Sequence, residues 1–112
     1  ISPKLSHASP PDADAAYEAL RLRSEVLRAW MDACPVQFKF VVCRPADLEE
    51  VGGILRRVER AVPPERVFLM PEGTDAATLH EREGWLLDAC LRTGYRYGRR
   101  LHVELFGNRR GV

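Results

Sequence analysis

The sequence predicts an α/β fold of about four parallel strands and three helices, roughly half of a (β/α) barrel or of a doubly wound sheet. Two observations carry this. Short apolar runs alternate with segments of helical period along the chain. Successive strands are separated by helix-length crossovers, which join parallel strands by right-handed connections. The composition, 46% hydrophobic and 29% charged over 112 residues, is that of one globular domain and excludes a disordered or fibrous chain.

The elements follow in order. Ile1 to Leu5, ISPKL, is a short extended run broken by Pro3, and Ser6 to Asp14 is a polar loop rich in Pro, Asp and Ser. From Asp14 to about Ala33, Leu20, Val26, Leu27 and Trp30 recur at helical spacing until Pro35 stops the helix. QFKFVVC, Gln37 to Cys43, is a strand. Pro45 to about Arg60 is a second helix with Leu48, Val51, Leu55 and Val58 on one face, weakened locally by Gly52-Gly53. Pro63-Pro64 makes a rigid turn, and Arg66 to Met70 is the next strand. Thr74 or Asp75 caps a third helix running to about Thr93, with Leu79, Trp85, Leu86, Ala89 and Cys90 inward and Gly94 as its stop. RLHVELF, Arg100 to Phe106, reads as the last strand, followed by the tail GNRRGV. A chain that opens inside a strand leaves a sheet edge uncovered, which suggests the C-terminal part of a longer protein.

A net charge of +1 gives no support to a nucleic-acid or membrane surface. No window approaches the roughly 20 apolar residues of a spanning helix, and nothing reads as a signal peptide. Cys34, Cys43 and Cys90 are odd in number and widely spaced. They read as reduced thiols of a cytoplasmic protein, each a small core hydrophobe. No glycine-rich dinucleotide or phosphate loop, H-E-x-x-H, G-x-S-x-G or zinc-spaced Cys/His cluster occurs.

The strands carry more polar residues than a sheet buried on both faces tolerates. Alternation puts Phe38, Phe40 and Val42 on one side and Gln37, Lys39, Val41 and Cys43 on the other. In the last strand Arg100, His102, Glu104 and Phe106 oppose Leu101, Val103 and Leu105. The third strand sets Met70 and Glu72 opposite Leu69. If the apolar sets face the helices, Lys39, Glu72, His102 and Glu104 line the concave side. There they pair, reach water or meet a polar ligand, because burial without a partner costs several kcal/mol each. In such folds ligands collect at the carboxyl ends of strands. Met70-Pro71-Glu72-Gly73 is such an end, and Ser2-Pro3-Lys4 offers a hydroxyl, a fixed backbone and a point charge suited to a carboxylate or phosphate. The glycines of the tail suit a turn that folds back and brings the Val112 carboxylate toward the strand ends.

SPKL, QFKFVV, DLEEV, VFLMPEGTD, WLLDAC and RLHVELFGNRRGV, in this order, resemble the C-terminal half of the 7-carboxy-7-deazaguanine synthases, radical S-adenosylmethionine (SAM) enzymes of queuosine and 7-deazapurine biosynthesis. The resemblance covers essentially all of residues 1–112 and implies one C-terminal portion of a single radical SAM domain, with the fold of a partial (β/α) barrel. It implies a lyase that contracts 6-carboxy-5,6,7,8-tetrahydropterin to 7-carboxy-7-deazaguanine. Its cofactors would be SAM, a [4Fe-4S] cluster and Mg2+, its partners a small pterin substrate and, when intact, a second copy in a homodimer. It assigns SAM contacts to Ser2, Pro3 and Lys4 and to Met70, Pro71, Glu72 and Gly73, where Pro71 and Gly73 would let backbone approach the adenosine. Met70 stands where the family commonly has glutamine. Substrate contact falls to the Val112 carboxylate, while Lys39 and His102 carry no assigned role. The cluster cysteines and magnesium ligand belong to the family's other half, so this chain alone is expected to be inactive. Two other readings are a self-contained, non-catalytic α/β binding module and part of another radical SAM activating enzyme.

Overall fold

The computed structural model describes residues 1–109. Its centre is a three-stranded parallel sheet, β1 (Phe38–Val42), β2 (Val67–Pro71) and β3 (Arg96–Tyr97), in the order β1-β2-β3. Register pairs Phe38 with Val67, Phe40 with Leu69 and Val42 with Pro71, so the carboxyl ends of β1 and β2 lie side by side. Five α-helices accompany it: α1 (Ala15–Arg21), α2 (Ser24–Ala33), α3 (Asp47–Arg57), α4 (Ala76–Thr93) and α5 (Leu101–Phe106).

The expected alternation holds in β1 and β2. Phe38, Phe40, Val42, Val67 and Leu69 are fully buried. They form one core with Val51 and Ile54 of α3, Val58 just after it, Leu86 and Cys90 of α4, and Leu5. On the opposite face Lys39 is exposed, and Val41, Phe68 and Met70 are half-buried. The sheet is therefore covered on one side only, because the alternating pattern supplies apolar surface for a single helical layer.

Local chemistry sets the helix ends. The Asp75 carboxylate accepts the Thr78 N–H at 2.8 Å and caps α4. Gly94 ends it at φ 78°, the left-handed conformation that glycine adopts without a Cβ penalty. Asp14 caps α1 in the same way through the Tyr17 N–H. No helix among the described residues is long and apolar enough to cross a membrane.

Four expectations are corrected. RLHVELF is helix α5, not a strand, and Arg96–Tyr97 takes the place beside β2. The chain pairs with β2 as soon as Gly94 releases it, and Gly98 N–H donates to the Leu69 carbonyl at 2.8 Å to complete the ladder. RLHVELF then has no strand edge to join. Its leucines at i and i+4 serve a short helix as well as alternation serves a strand. Ile1 to Leu5 is extended but not a full strand. Ile1 N donates to the Gln37 carbonyl and Lys39 N–H to the Ile1 carbonyl, both at 2.8 Å, the two bonds of a parallel pair around Phe38.

The single helix read over residues 14–33 is two. A break at Leu22 and Arg23 lets Leu22, Leu27 and Met31 all pack on the core. Leu20, Val26 and Trp30 of the expected inward stripe are exposed instead. Among the cysteines only Cys90 is a buried hydrophobe. Cys43 is half-buried and Cys34 exposed, because α2 ends at the surface before Pro35.

Candidate functional site

A cleft of about 510 Å³ opens at the carboxyl ends of β1 and β2. Ser2, Pro3, Lys4, Glu72 and Gly73, five of the seven residues expected to contact SAM, line it together. Met70 and Pro71 do not. Pro71 is fully buried under the sheet. Met70 points to the open face, where its Cγ would stand 2.8 Å from a Cβ placed on Gly98. Lys39 lies away from the cleft, near Trp30 and Arg66 at the other end of β1. His102 does line the cleft, but from α5 rather than by strand alternation. Val112 lies outside the described residues. Gly107, Asn108 and Arg109 reach the cleft, as expected of a tail that folds back.

Each wall is held from below. Glu50 of α3 accepts the Ser6 N–H at 2.8 Å and its hydroxyl at 2.9 Å. Arg21 of α1 bonds the Lys4 carbonyl and, at 3.3 Å, Glu50. These bonds fix the backbone of the Ser-Pro-Lys segment and leave the Lys4 side chain exposed. The β1–α3 turn is closed by Asp47, 4% exposed, whose Oδ2 accepts the Cys43 N–H at 2.7 Å and the Arg44 N–H at 3.2 Å. His7 Nε2 stands 2.9 Å from the Val41 carbonyl and 3.8 Å from Asp47. With the carbonyl as acceptor, Nε2 carries the proton.

The β2–α4 turn forms the facing wall. Glu72 N–H donates to the Val42 carbonyl at 2.8 Å, extending the ladder past the last strand residue. Arg100 Nη1 donates to the Gly73 carbonyl at 3.2 Å. Arg82 of α4 bonds both the carbonyl and the carboxylate of Glu72. That bond, opposed by partial burial, raises the Arg82 pKa above the ordinary arginine value, so the group stays charged. Among the described residues, Lys4, Arg100 and Arg109 set three cations against the one carboxylate of Glu72, with His7 and His102 beside them. The cleft is a cationic site with one described carboxylate on its wall, suited to a ligand that carries an anion and a hydroxyl or amine.

Gly73 has a structural reason of its own. A Cβ there would lie 3.0 Å from Leu79 Cδ2 and 3.1 Å from Thr78 Cγ2. Gly73→Ala is expected to cost about 1–2 kcal/mol through overpacking, read by urea denaturation. An unchanged midpoint would mean that the first turn of α4 gives way.

Among the described residues no group of three or more His, Cys, Asp or Glu is placed to hold a metal ion. The three cysteines sit at the end of α2, the end of β1 and inside the core. They do not fit a cluster, which needs thiolates converging on one centre.

His7, Arg82 and the part of Arg100 in this site were not visible in the sequence. His7 stands in a loop with no motif around it. The one signal for Arg82 was an arginine ten residues after a strand-end glutamate.

No protein-family model matches the chain, and no solved structure matches it. Three curated proteins do, each named 7-carboxy-7-deazaguanine synthase. The one from Halobacterium salinarum is 36% identical over 121 residues, covering 96% of this chain and 47% of that protein. The one from Rhodopirellula baltica is 33% identical over 119 residues, covering 100% and 45%. The one from Pyrobaculum aerophilum is 36% identical over 111 residues, covering 99% and 44%. The matches cover nearly the whole chain, and the chain spans about half the length of the curated relatives it matches. This chain belongs to the 7-carboxy-7-deazaguanine synthase family.

Proposed function

We propose that this chain supplies one wall of the SAM site of a 7-carboxy-7-deazaguanine synthase, with the three-stranded sheet as a sector of a radical SAM (β/α) barrel. The observation that carries this is convergence. The Ser2–Lys4 and Glu72–Gly73 segments lie about 70 positions apart in sequence, yet they face each other across one cationic cleft at the carboxyl ends of parallel strands.

In this reading Lys4 pairs with a ligand carboxylate and Glu72 accepts from a hydroxyl or amine. The sheet face bearing Lys39, Phe68 and Met70 turns toward the barrel interior. SAM, when bound with a cluster, supplies a radical for the ring contraction of 6-carboxy-5,6,7,8-tetrahydropterin. The chain's own residues bind SAM, orient it and shield it from water. Cluster and magnesium ligands come from outside the described residues. A homodimer and a role in queuosine or another 7-deazapurine pathway belong to the same proposal.

The test is a SAM titration of the 112-residue chain followed by NMR. Saturable shifts confined to residues 2–4 and 72–74 are expected. Lys4→Ala should weaken binding about tenfold, the loss of one charged hydrogen bond of about 1.5 kcal/mol. Absent or scattered shifts would overturn the reading and favour a non-catalytic module.

A further inference from the structure

The carboxylate of Glu72 is held from behind. Arg82 Nη1 bonds Glu72 Oε2 and the Glu72 backbone carbonyl together. The Cys43 thiol, at the end of β1, approaches the same Oε2 at 3.8 Å. Among the described residues Oε1 accepts no hydrogen bond, and Glu72 lines the cleft. The β1–α3 turn and α4 thus both engage one oxygen and leave the other for a ligand. Arg82 itself does not line the cleft. Its side chain is 24% exposed and that of Glu72 38%, so neither group is so buried that the ion pair must exist to relieve a lone internal charge.

A guanidinium that grips both a residue's backbone carbonyl and its carboxylate removes the side chain's rotational freedom. The cost of ordering a glutamate is then met on folding rather than on binding. Arg82 also joins the first residue of the turn to the second turn of the helix that follows it, so the turn cannot swing independently of α4.

We propose that Arg82 is a positioning residue for ligand recognition: it fixes Glu72 so that Oε1 faces the cleft and accepts from a hydroxyl or amine of the bound nucleoside. This inference rests on the SAM reading of the cleft. It goes beyond that reading in assigning a role to a helix residue that touches no ligand.

The test is a double-mutant cycle on the 112-residue chain, with SAM as probe and Kd taken from NMR titration. Glu72→Gln and Arg82→Gln are each expected to weaken SAM about fivefold. The double variant should be no weaker than either alone, because Arg82 acts only through Glu72. Arg82→Lys should recover part of the loss, since an ammonium keeps the charge but sits on a side chain one atom shorter, without the planar guanidinium that carries Nη1 to both acceptors. A merely structural role would lower the melting temperature without this coupling, so thermal unfolding of each variant is measured alongside.

If Glu72→Gln weakens SAM and Arg82→Gln does not, the positioning role is overturned and the SAM site stands. Additive losses would also overturn it, because Arg82 would then act independently of Glu72. If the parent chain binds no SAM, the reading of the cleft fails and the inference with it.

Discussion

Phe40→Ala is expected to lower the unfolding free energy by about 3–5 kcal/mol. Phe40 sits at the centre of β1, is fully buried, and pairs in register with Leu69 of β2. Its ring stacks on that of Phe38 with centroids 6.1 Å apart and planes 8° apart. Truncation removes the ring from water-excluded surface and leaves a cavity that neighbours cannot fill. The reason is the one-sided build of the sheet. The helical layer is already packed against this face, and the opposite face carries Lys39 and Val41, which point away. A domain of this size is typically stable by about 5–15 kcal/mol, so the loss removes a large fraction of the total. Urea denaturation followed by far-UV circular dichroism measures it. The midpoint should fall with the slope unchanged. Lys39→Ala, one residue away but facing out, should stay within about 0.5 kcal/mol. A loss below about 1 kcal/mol at Phe40 would mean that the helix-facing side of the sheet is not the core.

That core was legible because period and breakers agree. FKFVV and VFLM alternate or run apolar between a proline and a turn, and Asp75 and Gly94 bracket α4 by capping chemistry that acts over three or four residues. The last element was not legible, because its form is decided by what it can pair with. RLHVELF satisfies a two-residue period and an i, i+4 pair equally well. The position beside β2 is taken by Arg96–Tyr97, a strand too short to leave a pattern. The site divides in the same way. Ser2-Pro3-Lys4 belongs to an extended run beside β1 and Glu72-Gly73 follows β2, and the carboxyl ends of parallel strands are where such sheets gather ligands. His7 and Arg82 arrive from a turn and a helix through tertiary contacts that no local spacing encodes. Gly73, expected to admit an adenosine, is required first by Leu79 and Thr78.

The second large effect is all-or-none. The 112-residue chain, reduced and supplied with iron, sulfide, SAM and 6-carboxy-5,6,7,8-tetrahydropterin, is expected to form no 7-carboxy-7-deazaguanine. Joined to the part of the Halobacterium salinarum relative that it does not match, it should turn over. Cys34, Cys43 and Cys90 lie on three separate elements, with Cys90 inside the core, where burial raises its thiol pKa and disfavours the thiolate a metal needs. The described residues offer no alternative metal-binding group. The cleft that they do form has one wall pair and an open side, so a radical generated there would meet water. On the proposed function the two halves of the requirement are separable: this chain would orient SAM, and the joined segment would bring the cluster and close the site. Anaerobic product formation by chromatography measures the outcome. Product from the chain alone would sink the partition. A fusion that binds SAM and carries a cluster, yet makes no product, would leave the cleft a SAM site while removing the synthase reading. In an active fusion, Lys4→Ala should lower kcat/KM about tenfold through SAM binding, whereas Lys39→Ala, at the far end of β1, tests whether the open sheet face reaches the pterin.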